Sequence, residues 1–143
     1  MKTCLVLEGG AMRGMFTAGA LDVFYSAGIR FDGIIGVSAG AAFGVNYLSG
    51  QPGRVIRYNK RFNSDHHYMG LIPLLKTGNI VDTEYAYDKV PRQLDPFDGD
   101  TFDASGVPFW AVVTNVETGQ AEYIRLEHAL EQMDVIRASA SMP

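Results

Sequence analysis

A chain of 143 residues, 47% of them hydrophobic, has the apolar material for one globular domain and too little length for two. Its 12 lysines and arginines stand against 16 acidic residues, a formal net charge of −4, and without a basic run nothing points to nucleic acid as a partner. The single cysteine excludes an internal disulfide, and no stretch is long and apolar enough to cross a bilayer.

Thr3 to Leu7 is a short apolar run that reads as a buried strand, with Cys4 as a small core residue in a reducing compartment. Glu8 ends that run too soon for a secretory signal, so the expected location is cytoplasmic. Glu8-Gly9-Gly10-Ala11-Met12-Arg13-Gly14 follows as a glycine loop. Met15, Phe16, Gly19, Ala20, Val23, Phe24 and Ala27 then recur at helical spacing until Gly28 stops the helix. Phe31 to Val37 is the second strand, and a helix of small residues runs on to about Leu48. Strand, loop, helix and strand form a βαβ unit with a right-handed crossover, which brings both loops to the carboxyl edge of one sheet.

Gly53 to Phe62 reads as a helix whose Arg54, Arg57, Lys60 and Arg61 form a solvated basic face, with lipid or phosphate contact as the alternative. Asn63 to Gly78 holds an apolar and aromatic patch broken by Pro73, read either as packed against the sheet or as a lid facing substrate. Gly106 to Asn115 is an apolar, central strand; Glu117 to Gln120 is a turn, and Ala121 to Leu126 an antiparallel partner. Glu127 to Ala138 is expected to be helical, with Ala129, Leu130, Met133 and Ile136 on one side.

The chemistry centres on Gly36-Val37-Ser38-Ala39-Gly40. This G-x-S-x-G pattern, between a strand and a helix, is that of a nucleophile elbow, which holds a serine hydroxyl out at the end of a strand. Glycines at 36 and 40 leave room where a β-carbon would press on the neighbouring strand or helix. The plainer alternative is a serine that only caps the helix. For the glycine loop, a phosphate-binding P-loop fails because Arg13-Gly14-Met15 lacks the Lys-Ser/Thr ending. A dinucleotide fingerprint fails because Ala11 holds its third place and Asp32 precedes the second strand. An oxyanion hole remains, with amides of Gly9, Gly10 and Ala11 as donors and Arg13 holding the loop or adding positive field. Neither motif calls for a metal or a cofactor.

A serine needs a base. The only histidines are His66, His67 and His128, and none lies in a motif that directs it to Ser38. In a standard α/β-hydrolase the serine stands well into the chain with acid and histidine after it, and here it follows the second strand. The glycine loop, the Gly36–Gly40 motif and Ala138-Ser139-Ala140-Ser141-Met142-Pro143 together resemble the patatin-like phospholipase family, bacterial members included.

The resemblance covers essentially the whole chain. It implies an α/β three-layer sandwich with a mostly parallel central sheet, of which residues 1–143 are the amino-terminal part of a single domain. It also implies lipid acyl hydrolysis by a Ser-Asp dyad: Ser38 attacks the ester, the Gly9–Gly14 loop with Gly9, Gly10, Ala11, Arg13 and Gly14 binds the oxyanion, and water releases the fatty acid. Lipid esters are then the substrates, with transient contact to lipid surfaces; no oligomeric state is implied. Ala11 replaces a third glycine usual in the family, a modest change because the donor is a backbone group. The family's aspartate sits in an Asp-Gly-Gly or Asp-Gly-Ala segment beyond the third motif. The Asp-Gly pairs present, at Asp32 and Asp98, each read as a turn before a strand. The dyad aspartate is thus expected beyond Pro143, and the chain as it stands is expected to be inactive. Two alternatives are a patatin-like fragment that binds lipid or protein without catalysis, and a histidine-dependent serine hydrolase.

Overall fold

The computed structural model describes residues 2–62 and 64–141. Four strands form one sheet in the order β1 (Cys4–Leu7), β2 (Gly33–Val37), β3 (Phe109–Thr114), β4 (Ala121–Leu126). The first three are parallel and β4 is antiparallel to β3, a mostly parallel sheet flanked by helices as expected. The alternation of the pleat sorts the strand residues. Leu5, Leu7, Ile34, Phe109, Ala111 and Leu126 belong to the main core, where they meet Ala41, Val45 and Leu48 of α2 (Ala39–Leu48) and Ile136 of α6 (Met133–Ala140). The remaining helices are α1 (Gly14–Ser26), α3 (Arg54–Phe62), α4 (Leu71–Thr77) and α5 (Gly99–Ala104). Those that contact the sheet, α2 and α6, also contact each other, so among the described residues the helices form a layer on one face.

Helix α2 is the centre of this layer, and its small residues explain why. A β-carbon at Gly44 would stand 2.5 Å from Leu7 Cδ1, and one at Gly14 would stand 2.8 Å from Ala39 Cβ. The missing side chains let α2 lie close on the sheet and α1 close on α2.

Five expectations change. Cys4 is exposed, because it shares with Val6 the face of β1 opposite Leu5 and Leu7. The expected helix over 127–138 begins only at Met133; Gln132 Oε1 accepts the amides of Glu127 (2.7 Å) and His128 (2.9 Å) and holds that stretch as a turn. Arg54 is buried rather than on a solvated face. Of the 63–78 patch, residue 63 lies outside the described residues, and the described part is not packed on the sheet: α4 carries exposed leucines, with Pro73 as its buried residue. Asp98 caps a helix, α5, rather than preceding a strand, with its carboxylate accepting the Thr101 amide at 2.9 Å.

A π-helical segment over Tyr85–Leu94, like α5, has no counterpart in the sequence reading. Pro91 lies inside it, and a proline brings no N–H and crowds the carbonyl of the preceding turn, so the wider turn relieves it.

Candidate active site

Leu7 pairs with Gly36 in the parallel ladder, so β1 and β2 end at the same level and release their loops side by side. The turn after β2 puts Ser38 at φ 53° and ψ −118°, a strained conformation for a residue with a side chain. Its carbonyl accepts the amides of Ala41 and Ala42, both at 3.0 Å, and thereby starts α2. Two glycines make this turn possible. A β-carbon at Gly36 would lie 2.6 Å from the Gly40 carbonyl oxygen, and one at Gly40 would lie 2.3 Å from that of Leu7. Val37 is exposed, Ser38 half-buried and Ala39 buried, so the chain turns inward just after the serine.

The glycine loop lies against this turn. A β-carbon on Gly9 would stand 3.1 Å from Ser38 Cβ and 3.8 Å from Ser38 Oγ, so a side chain there would crowd the serine, and glycine lets the loop lie against it without a shift. Among the described residues the amides of Gly9, Gly10 and Ala11 donate to no acceptor, and Ser38 Oγ makes no hydrogen bond. Arg13 donates its amide to the Gly10 carbonyl at 2.9 Å, which folds the loop into a 3-10 turn; its side chain is exposed. Gly14 serves packing, at the contact between the starts of α1 and α2. Ala11 sits at φ 45°, the left-handed region that a glycine adopts without strain, so the exchange of glycine for alanine there is costlier than donor chemistry alone suggests.

A residue the sequence reading quoted without a role proves central. Ser139, near the end of α6, accepts the Ser38 amide at 2.9 Å and donates to the Val112 carbonyl at 2.6 Å. One hydroxyl thus ties the elbow to β3. The only sequence signal was its place in the third motif.

The candidate bases lie elsewhere. His128 follows β4, whose Leu126 pairs with Phe109 at the start of β3, whereas Ser38 follows Val37, which pairs with Val112 near the end of β3. His128 is therefore at the opposite edge of the sheet, where its Nδ1 lies 2.7 Å from Asp103, and that hydrogen bond raises its pKa. His67 lies 3.1 Å from Asp65, and His66 is exposed; among the described residues neither hydrogen-bonds to Ser38. Asp32 precedes β2, at the edge away from Ser38, and accepts the Thr3 amide at 2.6 Å; that bond lowers its pKa. The Thr101 amide does the same for Asp98. Both carboxylates are committed to local structure.

One turn along α2 from Ser38, Ala42 borders a cavity of about 90 Å³ between α2, α3, α6 and the π-helical segment. Tyr58, Tyr87, Met133 and Ile136 supply much of its wall. Burial pushes the Tyr58 hydroxyl pKa well up, so it stays neutral.

Comparison with known proteins agrees with this geometry. The family model described as patatin-like phospholipase matches residues 5–143. An uncharacterized protein of Escherichia coli K12, YjjU, is 32% identical over 147 aligned residues, which cover 99% of this chain and 40% of YjjU. The chain therefore spans well under half the length of the curated relative it matches. It belongs to the patatin-like phospholipase family.

Proposed function

We propose that the protein is a serine-dependent lipid acyl hydrolase. The observation that carries this reading is Ser38 itself, strained at φ 53° at the head of α2 and abutted by a glycine loop whose amides have no other acceptor among the described residues.

Ser38 Oγ attacks the carbonyl carbon of a lipid ester. Negative charge develops on the carbonyl oxygen and is stabilised by main-chain donors of Gly9, Gly10 and Ala11, assisted by the positive end of the α2 dipole and the field of Arg13. An aspartate carboxylate takes the serine proton and returns it to the leaving alcohol; water then attacks the acyl-enzyme and frees the fatty acid. Asp32 and Asp98 are engaged elsewhere. In the family's order of motifs the dyad aspartate comes after the third motif, hence past Pro143. Among the described residues no helix is long and apolar enough to cross a membrane. A cytoplasmic enzyme that visits lipid surfaces fits these features.

The test is turnover of a p-nitrophenyl ester by the full-length protein. Ser38→Ala should reduce kcat by at least about a thousandfold without unfolding the protein. Equal turnover by the variant would remove the proposal.

A further inference from the structure

Three tyrosines that the elbow chemistry does not use meet on one cavity. Tyr58 of α3, Tyr68 between α3 and α4, and Tyr87 of the π-helical segment share the wall of the space of about 90 Å³ beside α2. A tyrosine hydroxyl inside a fold ordinarily finds a partner, as Tyr47 does in the Ile29 carbonyl and Tyr85 in Asp65 at 2.8 Å. Among the described residues the hydroxyls of Tyr58, Tyr68 and Tyr87 make no hydrogen bond of normal geometry, although the Asn59 side chain lies near that of Tyr58. Burial raises the pKa of all three, that of Tyr68 to about 12. Tyr68 and Tyr87 add to the rise at Tyr58, and Tyr87 to that at Tyr68, so the three phenols lie within electrostatic reach of one another. All stay neutral, and each can give one hydrogen bond and accept others.

A fourth polar group joins them. Arg54, 4% exposed, lines the same cavity with its guanidinium 5.3 Å from the centre of the Tyr58 ring. Its Nε is buried and makes no hydrogen bond, lying 3.2 Å from Asp95 without being aligned to it. The charges nearby are matched. Asp95 offsets Arg54; Arg57 shares that carboxylate from the solvent side; Arg137, whose charge reaches Tyr87, pairs with Asp134 at 3.4 Å. What the wall offers an occupant is hydroxyls and one N–H, and no net charge.

Size narrows the occupant. A water molecule takes up about 30 Å³ in the liquid, so the cavity has the bulk of about three waters, too little for a lipid acyl chain and enough for a molecule of about two or three carbons. Between the polar groups the wall is apolar, with Phe43 and Met133 among its residues. An apolar and aromatic pocket with a few convergent polar groups is the common form of a small-molecule site. The ligand that complements it carries C–H surface for the rings and several hydroxyls that both give and accept hydrogen bonds.

We propose that this cavity is a binding site for a short neutral polyol of the glycerol type, held by the hydroxyls of Tyr58, Tyr68 and Tyr87 and by the Nε–H of Arg54. The site is separate from the reacting serine, and the proposal does not depend on hydrolysis at Ser38.

The test is an NMR titration of the full-length protein, carbon-13 labelled at its methionine methyls, with glycerol and with 1-propanol, which has similar bulk and a single hydroxyl. Met133 lies on the cavity wall and reports occupancy. Glycerol should shift the Met133 signal along a saturable curve with a Kd on the order of 10 mM, and 1-propanol should bind more weakly. Tyr68→Phe/Tyr87→Phe should weaken glycerol at least about tenfold. A linear drift without saturation would overturn the proposal, since the cavity would then hold water alone. So would equal affinity in the double variant, or 1-propanol binding as well as glycerol, since either would make the space a merely apolar one. Each substitution removes one oxygen; should the double variant still fail to fold, Tyr68→Phe alone should weaken glycerol at least about threefold, and an unchanged Kd would overturn the proposal.

Discussion

Ser38 and Ser139, 101 residues apart in sequence, are joined by a 2.9 Å hydrogen bond in which the Ser38 amide donates to the Ser139 hydroxyl. The same hydroxyl donates to the Val112 carbonyl, so the strained elbow is braced against β3 by a side chain from α6. Replacing Ser139 by alanine leaves a part-buried donor and acceptor unpaired, at a cost of about 1 to 3 kcal/mol. Ser139→Ala should lower kcat more than it raises KM, since it loosens the serine and touches no substrate. Ser139→Thr keeps the hydroxyl and should recover most of kcat. Steady-state kinetics on a soluble ester check both; an unchanged kcat in the alanine variant would show that the brace is not needed.

Ala11 occupies a left-handed backbone position at φ 45°. Ala11→Gly removes the steric conflict at some cost in unfolded-state entropy. The net gain should be about 1 kcal/mol, a rise in melting temperature of about 3 °C. Thermal denaturation measures it, and a lower melting temperature would contradict the assignment of strain.

The buried cation Arg54 is only 4% exposed. Its Nη1 donates to Asn46 Oδ1 at 2.7 Å, another nitrogen donates to the Asp95 carbonyl, and Nε lies 3.2 Å from Asp95 Oδ1, near enough for an ion pair but not aligned as a hydrogen bond. Asp95→Ala would strip this charge of its counter-ion and should destabilise the protein by about 3 kcal/mol or more. Arg57, which shares the same carboxylate but is 56% exposed, should cost under about 1 kcal/mol when replaced by alanine. Chemical denaturation separates the two, and equal losses would contradict this account.

The Asp103 hydrogen bond raises the pKa of His128 above its usual 6.5. The folded state therefore binds this proton more tightly than the unfolded state. The resulting stability is complete below the unfolded pKa and is lost as pH rises through the folded one. Asp103→Asn should abolish that part of the pH dependence. Because His128 lies at the far edge of the sheet, His128→Gln should leave the pH profile of hydrolysis in place; a profile that moved with it would favour a histidine base.

Much of this was legible in the sequence for a physical reason: local pattern reports local structure. Strands β1 to β3 follow from apolar runs, β4 from the turn that precedes it, and the elbow from glycines at 36 and 40, where a β-carbon would stand 2.6 and 2.3 Å from backbone oxygens. What was missed depends on partners distant in sequence. Arg54 resembles its basic neighbours until Asp95, 41 residues away, folds over it. Cys4 sits in an apolar run, yet the pleat turns it outward, and composition carries no face. Ser139 looked like motif filler because its two partners, Ser38 and Val112, lie on other elements. Helix 127–138 failed at its start because Gln132 binds backbone amides that a helix would leave free.

The central claim, that Ser38 is an activated nucleophile facing main-chain donors, is tested most directly by reacting the folded full-length protein with a fluorophosphonate and mapping the adduct by mass spectrometry. The account predicts a stoichiometric adduct on Ser38, lost in Ser38→Ala and slowed in Ser139→Ala. A folded protein that stays unlabelled at Ser38, or that carries the adduct on another serine, would contradict it.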